Sequence, residues 1–286
     1  MLQLWTQEDN HCRSNSRKAD LLRHRIAICF FGITRSLRHT LLSIEANILQ
    51  PARQLGEVKI YSHFFRQQMI DIAVSADYTE HGRVDPEEYK LLKSDWIVLE
   101  EPDSGAVQTR FEALKQYGDA WKSDFVLLRN LVHQQHSLQS VTNAALEDNP
   151  TLVVFCRPDL KYHDSLLPHL RRAMATRGDL VMLPYWQSWG GGLNDRFSLC
   201  RGKAAIASYG HRIEVAEDFC RDLGRPLHSE ALLRFALERA EVPVRRIGAR
   251  ATRIRVDGRS FPEDFRHPFV RRIHRRWELL LGRRAE

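Results

Sequence analysis

Cysteine is scarce in this sequence, and the patterns that cysteine-dependent proteins use are missing. Five cysteines are scattered over the 286 residues, and no two of them form a Cys-x-x-Cys pair. This spacing argues against a zinc cluster and against a disulfide framework. A free cysteine within an apolar segment, such as Cys29 or Cys156, behaves as a small hydrophobic residue. We therefore expect a reducing, cytoplasmic environment.

Long apolar runs are also missing. No stretch of 18 or more apolar residues occurs, so the sequence predicts no transmembrane helix. Residues 1–24 are polar and charged, without the apolar segment of a secretory signal, and we expect them to form a loose leader. With 43% hydrophobic and 28% charged residues, the composition is typical of a soluble globular protein with a sizeable core.

Negative charge is sparse near the C-terminal end. Residues 245–286 contain 13 arginines but only 5 acidic residues, whereas the whole chain carries a net charge of +7. The excess positive charge is thus concentrated there, and the preceding residues are close to neutral. A local basic block favours a local contact with an anionic partner, and we expect no nucleic acid partner of the kind that a globally basic protein binds.

Apolar residues recur every four positions at the end of that basic block, in residues 257–286, which we call the basic tail. An apolar stripe flanked by arginines is typical of a helix that lies on an anionic membrane surface. The same stripe also suits a terminal helix that covers the core of the domain, so both interpretations stay open. The stripe consists of Phe265, Phe269, Ile273, Trp277 and Leu281.

Strands and helices alternate along residues 25–256. An apolar strand that ends at Gly32, a helix over 36–50 and a strand over 58–61 open the chain as a β-α-β unit, which implies parallel pairing. Residues 70–105 are predicted to be irregular apart from a short apolar run at 96–99. Further strands are predicted near 151–156, 180–183, 196–200, 243–247 and 252–256, and helices near 108–121, 125–147, 165–176, 203–222 and 229–240.

This alternation favours a single α/β domain with one mostly parallel sheet flanked by helices. In open sheets of this kind, ligands bind beyond the carboxyl ends of the strands. The residues that carry chemistry are therefore sought in the loops that follow the predicted strands.

The loop after the first strand contains Gly32, Thr34 and Arg35. A glycine lets a ligand approach the backbone, and amides at a helix N-terminus attract phosphate, to which an arginine can donate two hydrogen bonds. An ordinary turn between a strand and a helix would have the same residues, with Arg35 in solvent. The loop is a candidate phosphate site.

A second candidate is the Arg157-Pro158-Asp159 segment after the strand at 151–156. The proline stops the strand, so Asp159 follows at its carboxyl end. A carboxylate there can hold Mg²⁺ or Mn²⁺, which prefer oxygen ligands, and Asp164 is a weaker candidate for the same role. Asp159 could instead cap a turn.

A third candidate is the segment from Trp186 to Phe197, which contains three consecutive glycines. Trp186 or Trp189 can form an apolar wall under a sugar ring, and Asp195 can accept a proton from an attacking hydroxyl group. A flexible surface loop with its tryptophans in the core is the alternative. The candidate acceptor-binding residues of this segment are Trp186, Trp189, Gly191, Asn194 and Arg196.

A fourth candidate is the pair His228 and Glu230, which precedes an apolar helix. Both are possible metal ligands. Each could equally belong to the start of that helix, where an acidic side chain in the first turn is favourable.

Together these motifs resemble glycosyltransferases of the GT-A type, in particular the bacterial enzymes of lipopolysaccharide or capsular polysaccharide synthesis. The resemblance covers about residues 25–256 and rests on an Ile-Cys-Phe-Phe-Gly-x-x-Arg opening, the Arg-Pro-Asp segment and a Gly-Gly-x-Asn-Asp-Arg-Phe segment. The Trp189-Gly-Gly segment with Asp195 is also similar to a loop of β-galactosyltransferases. The resemblance implies that the first loop, with Arg157, binds a nucleotide diphosphate sugar, that Asp159 holds the metal and that Asp195 faces the acceptor.

One departure from the family pattern concerns the metal. GT-A enzymes usually have Asp-x-Asp where this sequence has Arg157-Pro158-Asp159. Arg157 can replace part of the charge of a cation, and the resemblance lets His228 or Glu230 fill the position of a C-terminal metal ligand. We therefore still expect a divalent metal, Mn²⁺ or Mg²⁺, although only one carboxylate of this segment, that of Asp159, supports it.

The expected activity is transfer of a sugar from a nucleotide diphosphate sugar to a hydroxyl group of a glycan or glycolipid. The expected location is the cytoplasm, with the basic tail on the inner face of the membrane. A binding protein that acts on an anionic surface or on nucleic acid through its tail is the alternative, although no nucleic-acid motif is recognisable. A related fold without activity is a third possibility.

Overall fold

A seven-stranded sheet forms the centre of the computed structural model, which describes residues 24–75, 78–102 and 104–267. All strands run parallel except β9, which is antiparallel to both of its neighbours. In spatial order the strands are β10 (Val244–Ile247), β8 (Leu180–Pro184), β9 (Ser198–Arg201), β6 (Leu152–Cys156), β1 (Arg25–Gly32), β2 (Glu57–Phe65) and β5 (Trp96–Glu100).

Helices cover both faces of this sheet, and two small antiparallel pairs lie outside it. The pairs are β3 (Met69–Ser75) with β4 (Tyr78–Arg83), and β7 (Leu160–Tyr162) with β11 (Ala251–Arg253). The α-helices are α1 (Leu37–Ile44), α2 (Gln50–Arg53), α3 (Gly105–Lys115), α4 (Val126–Glu147), α5 (Leu167–Ala175), α6 (Lys203–Gly210), α7 (Ala216–Leu223) and α8 (Ser229–Arg239). A π-helical turn (Glu45–Leu49) joins α1 to α2, and 3₁₀ turns span Glu88–Leu92 and Arg212–Val215.

The central strands are apolar on both faces because both faces are covered. Phe30 and Val154 pack on the face that carries α1 and α5, whereas Phe31 and Phe155 pack on the face that carries α4, α6 and α8. All four side chains are at most 1% exposed. Burial of each such side chain contributes roughly 1.5–3 kcal/mol, so the continuous apolar runs predict these strands well.

The predicted α/β architecture with a mostly parallel sheet is confirmed, and the first β-α-β unit pairs in parallel as expected. Three details of the prediction are wrong. Residues 70–105 are not irregular, because they form the β3–β4 hairpin, a 3₁₀ turn and β5. The helix predicted over 203–222 is broken after Gly210, and the strand at 251–253 pairs with β7 outside the main sheet.

The end of the described chain belongs to the domain. Glu263 pairs with Arg253, and the ring of Phe265 packs edge-on against Trp186 with 5.0 Å between ring centroids. The leader over 1–23 and the rest of the basic tail, 268–286, lie outside the described residues, so the two interpretations of the tail stay predictions. Among the described residues, no helix is long and apolar enough to cross a membrane.

Candidate active site

The sheet brings the predicted loops together at one edge. Strands β1, β6 and β8 run in the same direction, so Gly32, Arg157 and Tyr185 all leave the sheet at its carboxyl edge. The antiparallel strand β9 begins at this edge, and therefore the segment from Trp186 to Phe197 lies there as well. The carboxyl edge of an open α/β sheet is where such folds bind ligands.

The first loop leaves room beside its backbone. Gly32 has φ +105°, which a residue with a side chain rarely adopts, and nothing lies within 4 Å of the place where its Cβ would be. Its N–H donates to Ser137 Oγ at 2.9 Å. Thr34 and Arg35 follow and are both less than a tenth exposed. A ligand can thus approach the backbone at Gly32 without meeting a side chain.

Arg35 is not in solvent, because two carboxylates enclose its guanidinium group. Its Nη1 donates to Glu80 Oε2 at 2.9 Å and its Nη2 donates to Asp159 Oδ2 at 2.5 Å. Its buried Nε has no hydrogen-bond partner among the described residues. Glu80, on β4, also accepts hydrogen bonds from Arg255 and from the backbone N–H of Val256.

Asp159 is held by two arginines at once. Arg157 donates to both of its carboxylate oxygens, from Nε at 2.9 Å and from Nη2 at 2.8 Å, and Arg35 donates to Oδ2. The segment is fixed further by Thr40 Oγ1, which donates to the carbonyl of Pro158 at 2.6 Å. Ile254 N donates to the carbonyl of Asp159 at 2.8 Å.

These contacts determine the charge of the segment. Burial alone would raise the pKa of Asp159, but the charges of Arg157 and Arg35 hold it well below its usual range. Burial would lower the pKa of Arg157, whereas Asp159 and, more weakly, Asp195 raise it above its usual value. The side chain of Arg157 is about a fifth exposed, so it can meet an anionic ligand, whereas Asp159 is nearly enclosed.

A cleft of about 300 Å³ opens beside the first loop at the ends of β1, β2 and β5. Ile33 and Thr34 line it on one side, and the half-buried ring of Tyr89 lines it on another. The cleft combines apolar walls with polar groups such as Asp85, a combination typical of small-molecule sites.

The glycine-rich segment crosses the start of α8 in close contact. A Cβ on Gly192 would lie 2.1 Å from the carbonyl carbon of Glu230, so only glycine fits there. Leu193 N donates to the carbonyl of Glu230 at 2.9 Å, and Trp189 N donates to the Glu230 carboxylate. As a result Trp189 stands on the surface, 57% exposed, beside the exposed Gly191.

Trp186, Asn194 and Arg196, which were expected to meet a sugar, lie in the interior of the described structure. Trp186 is fully buried, and its indole N–H donates to the carbonyl of Ala249 at 2.8 Å. Asn194 is also fully buried and donates to the carbonyl of Trp186 at 2.6 Å. Arg196 lies between Glu230 and Glu263, at 3.5 and 3.3 Å. These buried residues support the loop from the interior of the domain and do not face solvent.

Asp195 keeps access to solvent at this edge, because its side chain is 12% exposed. Ser229 Oγ donates to its Oδ2, and Nη2 of the fully buried Arg212 lies 4.0 Å from the same oxygen. Its backbone carbonyl accepts a hydrogen bond from Tyr209 Oη at 3.2 Å. The carboxylate is therefore held by hydrogen bonding and largely enclosed, but part of it remains accessible to solvent.

Glu230 and His228 flank Asp195 but differ in environment. Burial, together with the charge of Asp195, raises the pKa of Glu230 to about 8. Burial lowers the pKa of His228, whose ring stacks on Trp121 with centroids 5.5 Å apart. Burial and the neighbouring Arg196 likewise lower the pKa of Arg253 to about 10.

The expected metal ligands do not fit a divalent ion in this arrangement. Both oxygens of Asp159 accept hydrogen bonds from guanidinium groups. Asp159, His228 and Glu230 are not gathered into a three-ligand group, and Asp164 is paired with Arg250. In the described part of the chain, such a group is formed instead by His63, Glu100 and His136.

Several residues of the site have no recognisable motif in the sequence. Glu80 lies in a segment predicted to be irregular, and Arg212 lies inside a predicted helix. Arg253 and Arg255 were counted only as part of the basic block. Glu80 pairs with Arg35 and with Arg255, and both pairs join segments far apart in sequence, so no local pattern marks these residues.

No protein-family model matches this chain, and no curated protein matches its sequence. Among solved structures, the apo form of mouse xyloside xylosyltransferase 1 is similar, with a TM-score of 0.41 and 11% sequence identity. The match covers 78% of this chain and 85% of that chain. A likeness at this level carries no argument about activity, which has to be inferred from the site itself.

Proposed function

We propose that this protein is a glycosyltransferase that moves a sugar from a nucleotide diphosphate sugar to a hydroxyl group of a glycan or glycolipid. The observation that carries the proposal is that a guanidinium group and a carboxylate lie near each other at one edge of the sheet. Arg157 directly follows Cys156 of β6, which pairs with Phe30 of β1 two residues before Gly32. Asp195 is close enough to Arg157 for its carboxylate to contribute to the raised pKa of the arginine. A cationic group and a carboxylate in such proximity match the leaving group and the nucleophile of a sugar transfer.

The donor is proposed to lie along the first loop. Its nucleoside would occupy the cleft, where Tyr89 offers a ring to stack on a base and Thr34 offers polar groups. Its diphosphate would then pass over Gly32, whose missing side chain leaves space for it. The exposed edge of Arg157 would meet the phosphate oxygens.

The acceptor is proposed to lie on the other side, against Trp189, whose exposed indole suits the apolar face of a sugar. The acceptor oxygen attacks the anomeric carbon of the donor while the bond from that carbon to the phosphate oxygen breaks with its electron pair. Asp195 takes the proton of the hydroxyl group, and Ser229 orients its carboxylate.

The departing diphosphate gains negative charge, which the guanidinium groups of Arg157 and Arg35 would stabilise. Asp159 acts as a positioning residue that holds both of them in place. Because Asp159 does not fit a divalent ion here, no step of the transfer is assigned to Mn²⁺ or Mg²⁺.

The biological setting is proposed from the motifs alone. Their resemblance to enzymes of lipopolysaccharide and capsular polysaccharide synthesis suggests a glycolipid acceptor and surface polysaccharide as the product. An acceptor of that kind is bound to a membrane, which would give the basic tail a purpose at the inner face.

Asp195→Asn tests the proposed chemistry. We expect turnover to fall by about 10²–10⁴-fold, because a base is lost, while the dissociation constant of the donor changes by less than about threefold. Turnover and donor binding are measured on the same preparation. Asp164→Asn is the matched control, since Asp164 pairs with Arg250 outside the Arg35–Asp159 and Asp195–Ser229 contacts, and should leave both quantities unchanged. A collapse of donor binding in Asp195→Asn would assign this residue to the nucleotide site instead.

A further inference from the structure

Three side chains of metal-binding type meet where β2, β5 and α4 come together. His63 is on β2, Glu100 is the last residue of β5, and His136 is on α4. His63 Nε2 lies 3.0 Å and His136 Nε2 lies 2.9 Å from the same carboxylate oxygen, Glu100 Oε2. One possible ligand atom from each residue lies within 4.8 Å of the others.

The neighbouring Ser137 determines which nitrogen of His63 carries the proton. The hydroxyl group of Ser137 donates its one hydrogen to the carbonyl of His63 at 2.6 Å and accepts a hydrogen bond from Gly32 N. Towards His63 Nδ1, at 3.1 Å, it can therefore only accept, so Nδ1 carries a hydrogen. In a neutral ring, Nε2 then presents a lone pair to Glu100.

Two acceptors thus face each other at 3.0 Å, the ring nitrogen of His63 and the oxygen of Glu100. Such a contact is repulsive unless a positive charge lies between the two atoms. A second proton on His63 would create an imidazolium in a side chain that is only 2% exposed. A metal ion between these atoms would remove the repulsion and would take the Nε2 nitrogen of His136 as a third ligand.

We propose that His63, Glu100 and His136 bind a divalent zinc-type ion, separate from the sugar-transfer site. Two imidazole nitrogens and one carboxylate oxygen form a donor set that suits Zn²⁺, and three protein ligands leave one coordination position open. The side chains of Glu100 and His136 are 24% and 15% exposed, so an ion can enter from solvent. The hydrogen bond from Nδ1 of His63 to Ser137 supplies the outer contact that fixes a ligating imidazole.

The position of this site suggests a structural role. The ion would tie the ends of β2 and β5 to α4, and Ser137 on that helix also receives the N–H of Gly32. Loss of the ion would therefore loosen the anchor of the first loop. The site would act on the donor loop through Ser137 and would not contact the substrate.

Cobalt substitution tests the site. The untagged full-length protein is first treated with a chelator to remove bound metal and is then titrated with Co²⁺. The visible absorption bands of Co²⁺ show whether nitrogen and oxygen ligands bind it with a low coordination number. We expect one equivalent of Co²⁺ to produce these bands and Zn²⁺ to abolish them by displacement. Zn²⁺ should also raise the melting temperature of the stripped protein.

The variants His136→Ala and Glu100→Gln should each weaken Co²⁺ binding at least about tenfold, because each removes one of three ligands. His133→Ala is the matched control on the same helix, since His133 Nε2 bonds to the carbonyl of Pro102 outside the cluster, and it should keep the bands. Far-UV circular dichroism confirms that each variant is folded. Absence of the bands in the wild-type protein, or bands of equal strength in both ligand variants, would overturn the proposal.

Discussion

Glu230 illustrates how burial changes the chemistry of a single side chain. Its carboxyl is 7% exposed, beneath the N–H of Trp189 and near Asp195, and its pKa is raised from 4.5 to about 8. The folded protein therefore holds a proton on Glu230 over a pH range in which the unfolded chain has lost it.

The direction of the pH effect follows from this difference. Below about pH 4.5 both states are protonated, and between that value and about pH 8 the folded state binds more protons, so stability falls as pH rises. We expect this contribution to reach up to about 1.4 kcal/mol per pH unit. Glu230→Gln should remove it, so the difference in unfolding free energy between wild type and variant, measured by urea denaturation from pH 5 to 9, should change with pH. A constant difference would contradict the buried, raised carboxyl.

Single residues also show what the sequence could not predict. That Asp159 follows β6 at the sheet edge was predictable from the apolar strand and Pro158. That its two oxygens are taken by Arg157 and Arg35 was not, because Arg35 lies 124 positions away. Likewise, a tryptophan in a glycine-rich segment can face a ligand or the core, and only tertiary packing buries Trp186 and exposes Trp189.

The glycine-rich segment and α8 form one unit, joined where Gly192 touches the backbone of Glu230. This contact fixes the loop that carries the exposed Trp189, so the position of the loop depends on a residue with no side chain. The sequence marked this segment by its three glycines. It could not show that Gly192 packs against α8, because that helix begins 37 positions later.

Gly192→Ala tests this contact. The added Cβ would lie 2.1 Å from the carbonyl carbon of Glu230, so we expect the loop to move away from α8. Turnover should fall at least about tenfold with a raised acceptor KM, while donor binding stays within about threefold, because the donor loop is not touched.

Gly105→Ala is the matched control, since nothing lies within 4 Å of its Cβ position and its φ is not positive. Kinetics of both variants, with the acceptor varied at saturating donor, separate the two effects. Equal acceptor KM values in Gly192→Ala and wild type would mean that the loop does not contribute to the acceptor site.

The elements with the clearest patterns were predicted and the others were missed. Strands β1 and β6 are continuous apolar runs because helices cover both faces of the sheet. The β3–β4 hairpin lies outside the main sheet, and β4 consists mostly of polar residues. The sequence therefore contains no apolar run that would predict this strand. Because this strand was not predicted, Glu80 was not recognised as the carboxylate that accepts hydrogen bonds from Arg35 and Arg255.

Over the whole molecule, residues beyond the boundary expected at 256 pack against the rest of the described chain. Glu263 is enclosed by Arg196 and Arg253, and Phe265 packs on Trp186. The first residue of the apolar stripe, Phe265, is thus partly buried against the core, and a test of membrane docking has to leave it in place.

A chain that ends at His267 should therefore stay folded, with a melting temperature within a few degrees of the full-length value. We expect this chain to lose co-sedimentation with anionic vesicles that the full-length protein shows at low salt, because most tail arginines are removed. A chain that ends at Glu263 is the comparison, and it should be less stable because Phe265 is lost. If the full-length protein does not bind such vesicles, or if the chain that ends at His267 unfolds, the tail has a structural role and does not dock on a membrane.

Thermal unfolding with a panel of nucleoside diphosphates and their sugar conjugates tests whether the sheet edge binds a nucleotide diphosphate sugar. At least one compound, at about 100 times its dissociation constant, should stabilise the protein by about 2.7 kcal/mol and raise the melting temperature by several degrees. Arg157→Ala should lose this shift, whereas Arg250→Ala, which removes the pair with Asp164 and a contact with the ring of Phe265, should keep it. A panel without any stabilising compound, or a shift that survives in Arg157→Ala, would contradict the account.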